Sequence, residues 1–143
     1  MMEVSVDVYI NTQKLEQQFK SLLDDECMWQ IHDLFAKMCS PYVPMQTGIL
    51  ADKSVRIYKD KAAWEQPYAR YQYMGELYLA PNGSAWAHYG EKKYPTGIPL
   101  NYNHELHGKA SKEWDKAMMS EQGEEFLAAV ADILLKRCKK LYG

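Results

Sequence analysis

The side chains best suited to chemistry gather past the middle of the chain. His88, His104 and His107 are three of the 4 histidines, and Glu105 lies between the last two. Imidazole nitrogens and carboxylates are good zinc ligands, so a small metal-dependent hydrolase using His88, His104, Glu105 and His107 is one reading. The spacing departs from the helical version of such a site. Zinc proteases set two histidines at i and i+4 on one helix face, with a glutamate directly after the first; here His104 and His107 stand at i and i+3. Asn101-Tyr102-Asn103 before them and Gly108 after them indicate a loop. The favoured reading is that these rings hydrogen-bond backbone groups and pin an irregular loop.

Other reactive groups are scattered. Cys27, Cys39 and Cys138 have no paired spacing. His32 follows Cys27 closely enough for a Cys–His pair, but both fit better as packing residues of a helix. Asp24-Asp25-Glu26 reads as a solvated acidic face. Lys136-Arg137-Cys138-Lys139-Lys140 reads as compensation of a helix dipole at its C-terminal end. Neither GxxxxGK[ST] nor GxGxxG occurs, so no phosphate-cradling loop is indicated.

The aromatic residues carry more information. Tyr68, Tyr71, Tyr73, Tyr78, Tyr89, Tyr94 and Tyr102 are seven of the 11 tyrosines, and Trp86 lies among them. Tyrosine joins a large apolar face to a hydroxyl that tolerates a wet boundary, which suits protein interfaces. These eight residues are the candidate interface. Single-stranded nucleic acid would stack on the same rings but needs a basic groove beside them. Arg70, Lys92 and Lys93 are few for that purpose, although a single-stranded nucleic-acid binding module stays among the alternatives.

Composition sets the outer limits. The 143 residues make one domain, 1–143, large enough to bury a core without metal or disulfide staples. A net charge of -2 argues against a dedicated nucleic-acid binder and against direct DNA contact. Three cysteines, an odd and scattered number, suggest reduced thiols and synthesis in a reducing cytoplasm. Met1 to Asp7 has neither the basic nor the apolar region of a signal peptide. No apolar run approaches the ~20 residues that span a bilayer, so a soluble protein without membrane contact is expected.

Periodicity supplies the elements that position these residues. Val4, Val6, Val8 and Ile10 alternate with polar residues and predict a strand. Asn11-Thr12 can cap a long helix from Gln13 to about Ser40, with Leu15, Phe19, Leu22, Leu23, Ile31, Leu34, Phe35 and Met38 on its apolar face and a weak point at Glu26 and Cys27. Pro41 stops it. After a turn over Tyr42–Gly48, Lys53–Lys59 predicts a second strand. Tyr68–Gly75 reads as a turn or a short helix, and Glu76–Ala80 as a strand. Pro81-Asn82-Gly83 reverses the chain, which predicts Ala85–Tyr89 as the returning strand of a hairpin. Lys92–Leu100, with Pro95, Gly97 and Pro99, is expected to be extended or irregular. Ser111 can cap a short helix carrying Trp114, Ala117 and Met118. Gly123 can bend or break it, and Ser120 can cap the next helix, whose buried face is Phe126, Leu127, Val130, Ile133, Leu134 and Leu141. The expected fold class is α+β: a long N-terminal helix and C-terminal helices on a small, mainly antiparallel sheet, with a hairpin and a long aromatic loop.

Several strings, in one order, resemble the tail-component and minor capsid proteins of tailed phages. Tyr42-Val43-Pro44-Met45-Gln46-Thr47-Gly48-Ile49-Leu50 followed by Ser54 is similar to a "VPxxTGxL…S" element, and Tyr68-Ala69-Arg70-Tyr71-Gln72-Tyr73-Met74-Gly75 to a "YAxYxxxG" element. Tyr78-Leu79-Ala80-Pro81-Asn82-Gly83, Lys92-Lys93-Tyr94-Pro95-Thr96-Gly97, Leu100-Asn101-Tyr102-Asn103-His104 and Trp114-Asp115-Lys116-Ala117-Met118-Met119 resemble the phage minor capsid family in particular. Pro44, Thr47, Gly48, Gly75, Pro81, Asn82, Gly83, His104 and Trp114 are the structural positions of these strings. Gln46 departs from the wider pattern, where an acidic residue is common, so a charge role at that position does not carry over. The resemblance implies a virion structural protein that joins head to tail or completes the tail, made in the host cytoplasm. It implies partners in a ring of identical copies and in other neck or tail proteins. It implies no catalytic residue, cofactor, metal or small-molecule substrate. A closed ring needs two different adhesive faces on each subunit; the aromatic segment and the long helix are the expected pair.

Overall fold

The computed structural model of the chain describes residues 2–8, 22–44, 55–66, 68–88, 90–102, 104 and 107–142. The architecture is α+β, as the periodicity predicts. Strands β1 (Met2–Val4), β2 (Val55–Ile57) and β3 (Ala62–Trp64) form an antiparallel sheet in the order β1-β3-β2. Helix α1 spans Asp25–Cys39 and runs into a 3-10 turn over Ser40–Tyr42. Helix α2 (Ala69–Met74) leads into β4 (Glu76–Leu79), which pairs with β5 (Tyr94–Pro99) in a separate two-stranded sheet. Helix α3 covers Trp114–Tyr142. None of the described helices is long and apolar enough to cross a membrane.

The core lies where α1, the three-stranded sheet and α3 meet. Cys27, Ile31, Phe35 and Cys39 recur every fourth residue of α1, and all are buried. Met2, Trp64 and Val55 stand side by side across the sheet, as do Val4, Ala62 and Ile57, which gives α1 an apolar face to pack on. Phe35 meets Phe126 of α3 edge to face with ring centroids 5.4 Å apart. Trp114 receives Trp64 at 5.5 Å and Tyr73 at 5.0 Å in the same manner. Two rings converging on one buried indole make Trp114 the junction between sheet, α2 and α3.

Several expectations are corrected. The helix predicted as one piece from Gln13 to Ser40 is interrupted: Asp24 is extended (ψ 177°), and its carboxylate accepts the Cys27 N–H at 2.9 Å, so a new helix begins at Asp25. The earlier part of that prediction, Gln13 to Ser21, lies outside the described residues, as do the Asn11-Thr12 cap and Ile10. The N-terminal strand is also shorter than its alternation suggests. Val6 and Val8 still point inward, but the Val6 N–H donates to His32 Nε2 at 3.0 Å instead of to a strand. Strand β3 has no alternating signal in the sequence, because Ala62-Ala63-Trp64 is buried throughout. The strand predicted over Lys53–Lys59 is β2; the chain turns after it, with the Tyr58 N–H donating to Lys61 O at 2.8 Å.

The returning hairpin strand is Tyr94–Pro99 and not Ala85–Tyr89. The reversal at Pro81-Asn82-Gly83 does form: Gly83 N–H donates to Ala80 O at 2.9 Å, and Asn82 Oδ1 accepts from Ser84 N–H at 3.0 Å. The turn then extends into a loop, and pairing resumes only with Leu79 opposite Tyr94. In α3 the expected break falls at Gln122 (φ -125°, ψ 21°), one residue before Gly123. Ser111 does not cap the helix. Its Oγ is buried without a partner among the described residues, and its N–H is taken by Tyr42 O at 3.0 Å. Glu113 (φ 49°) makes the turn into α3, its N–H held by Tyr73 O at 2.8 Å.

Candidate functional site

The candidate site is built on the arm formed by α2, β4 and β5. A helix turns about 100° per residue, so Ala69 and Tyr73 share one face of α2 while Tyr71 points the other way. The inner face is anchored: Ala69 is buried, and Tyr73 OH donates to Asp115 Oδ1 at 2.7 Å. Burial first, and Asp115 second, push the Tyr73 phenol well above its usual range. Tyr71 is thereby left outside, where its ring lies 4.8 Å from that of Tyr78 on β4.

Gly75 makes the turn from α2 to β4. It is left-handed (φ 71°), and a Cβ there would stand 2.7 Å from Lys112 Cβ and 2.9 Å from the Tyr102 hydroxyl. Only glycine fits both the dihedral and the space. Beyond it, β4 and β5 pair irregularly between Glu76 and Tyr78. Gly97 N–H donates to Glu76 Oε1 at 2.6 Å, and Thr96 Oγ1 donates to Leu77 O at 2.7 Å. These side-chain bonds carry β5 past Pro95 and Pro99, which have no N–H to give.

Between these elements opens a cleft of about 760 Å³ lined by Tyr68, Tyr71, Tyr78 and Tyr94. Arg70, Lys92 and Lys93 also line it, against one carboxylate, Glu91. Lys93 Nζ stands 5.6 Å from the centre of the Tyr71 ring, within reach of a cation–π attraction. The surface is therefore aromatic with a local positive surplus, on a chain whose net charge is -2.

Compared with family models, with curated proteins and with solved structures, the chain matches none.

The eight aromatic residues singled out from the sequence divide into groups. Tyr68, Tyr71, Tyr78 and Tyr94 come together in the cleft. Trp86 is 85% exposed on the loop between the strands of the arm. Tyr73 and Tyr102 face inward; the Tyr102 hydroxyl donates to Gln72 O at 2.6 Å, and burial raises its pKa. These two brace the arm and are not open to a partner. Tyr89 lies outside the described residues. The three cations were visible in the sequence but looked too few; folding concentrates them in one cleft. Glu91 and Ala87, which also line it, carried no signal in the sequence.

The histidines are held apart by their own bonds. His104 Nε2 lies 3.0 Å from Ala110 O, and His107 Nδ1 lies 2.9 Å from Val43 O. A carbonyl only accepts, so in each ring that nitrogen carries the proton, and the two bonds pin the loop before α3. His88 is exposed on the distant arm loop, and Glu105 lies outside the described residues. Among the described residues, no group of three or more histidines, cysteines or carboxylates could hold a metal. Burial pushes the Cys27 and Cys39 thiols up, with Glu26 and Asp115 adding to it respectively, the direction opposite to thiolate activation.

The remaining motif positions are structural. Pro44 is buried at the end of the 3-10 turn, while Thr47 and Gly48 lie outside the described residues. The acidic run is not simply solvated. Asp24 and Glu26 both engage Arg137 of α3, Glu26 at 3.1 Å, and Asp25 meets Lys59 at 3.3 Å. Arg137 thus spans from one helix to the other instead of serving only its own helix end.

Proposed function

We propose that this chain is a structural component of a tailed-phage virion, placed at the head–tail junction or the tail end. It acts by self-association and by docking to neck or tail proteins, without catalysis. One observation carries this reading: a cluster of tyrosines and cations forms an open cleft on an arm whose inner face is already anchored to the core. Its own chain leaves this surface open, and its chemistry suits an interface. The collinear strings from Tyr42 to Met119 supply the virion context.

Immunogold labelling of particles from cells that encode the chain tests the proposal. Label at the neck or tail end is the expected outcome. Purified particles that carry none of the protein would sink it.

The same cleft favours a second reading, a single-stranded nucleic-acid binding module, because Arg70, Lys92 and Lys93 flank stackable rings. Binding to oligothymidylate that weakens steeply with salt is its signature.

A further inference from the structure

The cleft has a counterpart elsewhere on the chain. Beyond the kink, α3 gives Phe126, Val130 and Ile133 to the core. Further round the helix, Glu124, Leu127, Ala128, Ala131 and Leu135 recur at spacings of 3 and 4, and all are exposed. Leu127 and Leu135 each keep 62% of their surface. Isolated exposed leucines are common, but an exposed apolar stripe that borders the buried face and continues round the helix leaves α3 with a second side to cover. Glu124 and its neighbour Glu125 stand at the start of the stripe, and neither pairs with a cation among the described residues.

The two surfaces are complementary in both respects. One is aromatic with surplus positive charge; the other is aliphatic with surplus negative charge. A two-fold contact of cleft with cleft would bring Arg70, Lys92 and Lys93 against the same cations. A contact of stripe with stripe would oppose the carboxylates if the helices lie parallel. Joining cleft to stripe avoids both, and that contact is heterologous, the kind that closes rings.

We infer that a second copy of this chain seats the Glu124–Leu135 face of α3 in the tyrosine cleft of the first. Leu127 lies against the rings of Tyr71 and Tyr78, while Glu124 and Glu125 approach Lys92, Lys93 and Arg70. The inference rests on the assembly reading above and names the contact that assembly uses.

A charge-swap experiment on the full chain tests it by sedimentation velocity over a wide concentration range. Lys92→Glu/Lys93→Glu and Glu124→Lys/Glu125→Lys are each expected to weaken self-association about tenfold or more, because like charges then oppose one another. An equimolar mixture of the two variants is expected to recover it, since each altered surface then finds an altered complement. Leu127→Ser, which changes no charge, is expected to weaken association as well. All five positions are partly or fully exposed, so unchanged melting curves separate loss of contact from loss of fold. If all variants associate like the parent chain, or if the mixture fails to recover, the contact is overturned while particle labelling can still uphold the virion role. A parent chain that stays monomeric throughout overturns the contact too. Loss of oligothymidylate binding in Lys92→Glu/Lys93→Glu with association intact assigns the cleft to nucleic acid and equally overturns it.

Discussion

The body and the arm of this molecule are both rich in aromatic residues and use them in opposite ways. In the body, Trp64 and Trp114 are fully buried and meet edge to face. In the arm, Trp86 is 85% exposed, Tyr94 56% and Tyr68 40%. The difference does not come from ring chemistry. In the body, helices cover the three-stranded sheet, and rings become filling. In the arm, β5 is exposed along its whole length, and rings become surface. The same residue type is thus core filling in one place and open surface in the other, according to whether a second layer covers it.

This contrast can be broken by substitution. The largest effect is expected at Trp114, where three elements meet: Trp114→Ala should cost about 3–5 kcal/mol in denaturant unfolding. A loss under about 1 kcal/mol would mean that the junction is not where the stability lies. Next comes Gly75, the turn from α2 to β4 within the arm. Gly75→Ala forces a left-handed alanine against Lys112 and the Tyr102 hydroxyl, and about 2–4 kcal/mol should be lost. Hydrogen exchange should show the arm amides opening more than those of α1.

Tyr73 sharpens the comparison because it is the arm's anchor in the body. Tyr73→Phe removes a hydrogen bond to a carboxylate, a loss of about 1.5–3 kcal/mol when the carboxylate is well desolvated and toward the low end here, where it is half-buried. The pH dependence has a definite sign. The folded state holds the Tyr73 phenol above its ordinary value of 10.0. The unfolded chain therefore loses this proton first, and the stability it contributes is present below pH ~10 and is lost as pH rises beyond that. Urea titrations at increasing alkaline pH should show a shallower decline in Tyr73→Phe than in the parent chain. Tyr102 keeps part of the slope, because burial raises its pKa in the same direction. The smallest effect on stability is expected at Trp86: Trp86→Ala should change it by no more than about 0.5 kcal/mol. A larger loss would show that the arm loop is packed in solution and that the contrast with the body is overdrawn.

Local chemistry was readable in part, though the Asp24 cap interrupts a helix predicted as continuous and the expected Ser111 cap does not form. The apolar face of α1, the stop near Pro41, the turn at Pro81-Asn82-Gly83 and the bend near Gly123 follow from side-chain spacing and backbone preference. The buried face of α3 is narrower than its spacing predicts: Phe126, Val130, Ile133 and Leu134 pack on the core, whereas Leu127 and Leu141 are exposed. The loop-pinning role of His104 and His107 was also readable, because their spacing fits no helical metal site. Pairing was less so. Strand β3 is Ala62-Ala63-Trp64, a segment too short and too evenly buried to alternate. Tyr94–Pro99 carries two prolines and a glycine, which local preference reads as extended or irregular without naming a partner; it pairs with β4, helped by the Glu76 and Thr96 side chains.

What the sequence determined by itself is therefore the fold class, the apolar face of α1 and the concentration of tyrosine between residues 68 and 107. Only the tertiary structure decided which of those tyrosines face inward. It also decided that Arg70, Lys92 and Lys93 share one cleft with four of the rings, and that α3 leaves an apolar stripe with a negative end uncovered. The physical reason is range. Helix periodicity and turn chemistry act over three or four residues, whereas the cleft joins residues 68 and 94 and the core joins residues 2 and 64, and such contacts exist only once the chain has closed on itself.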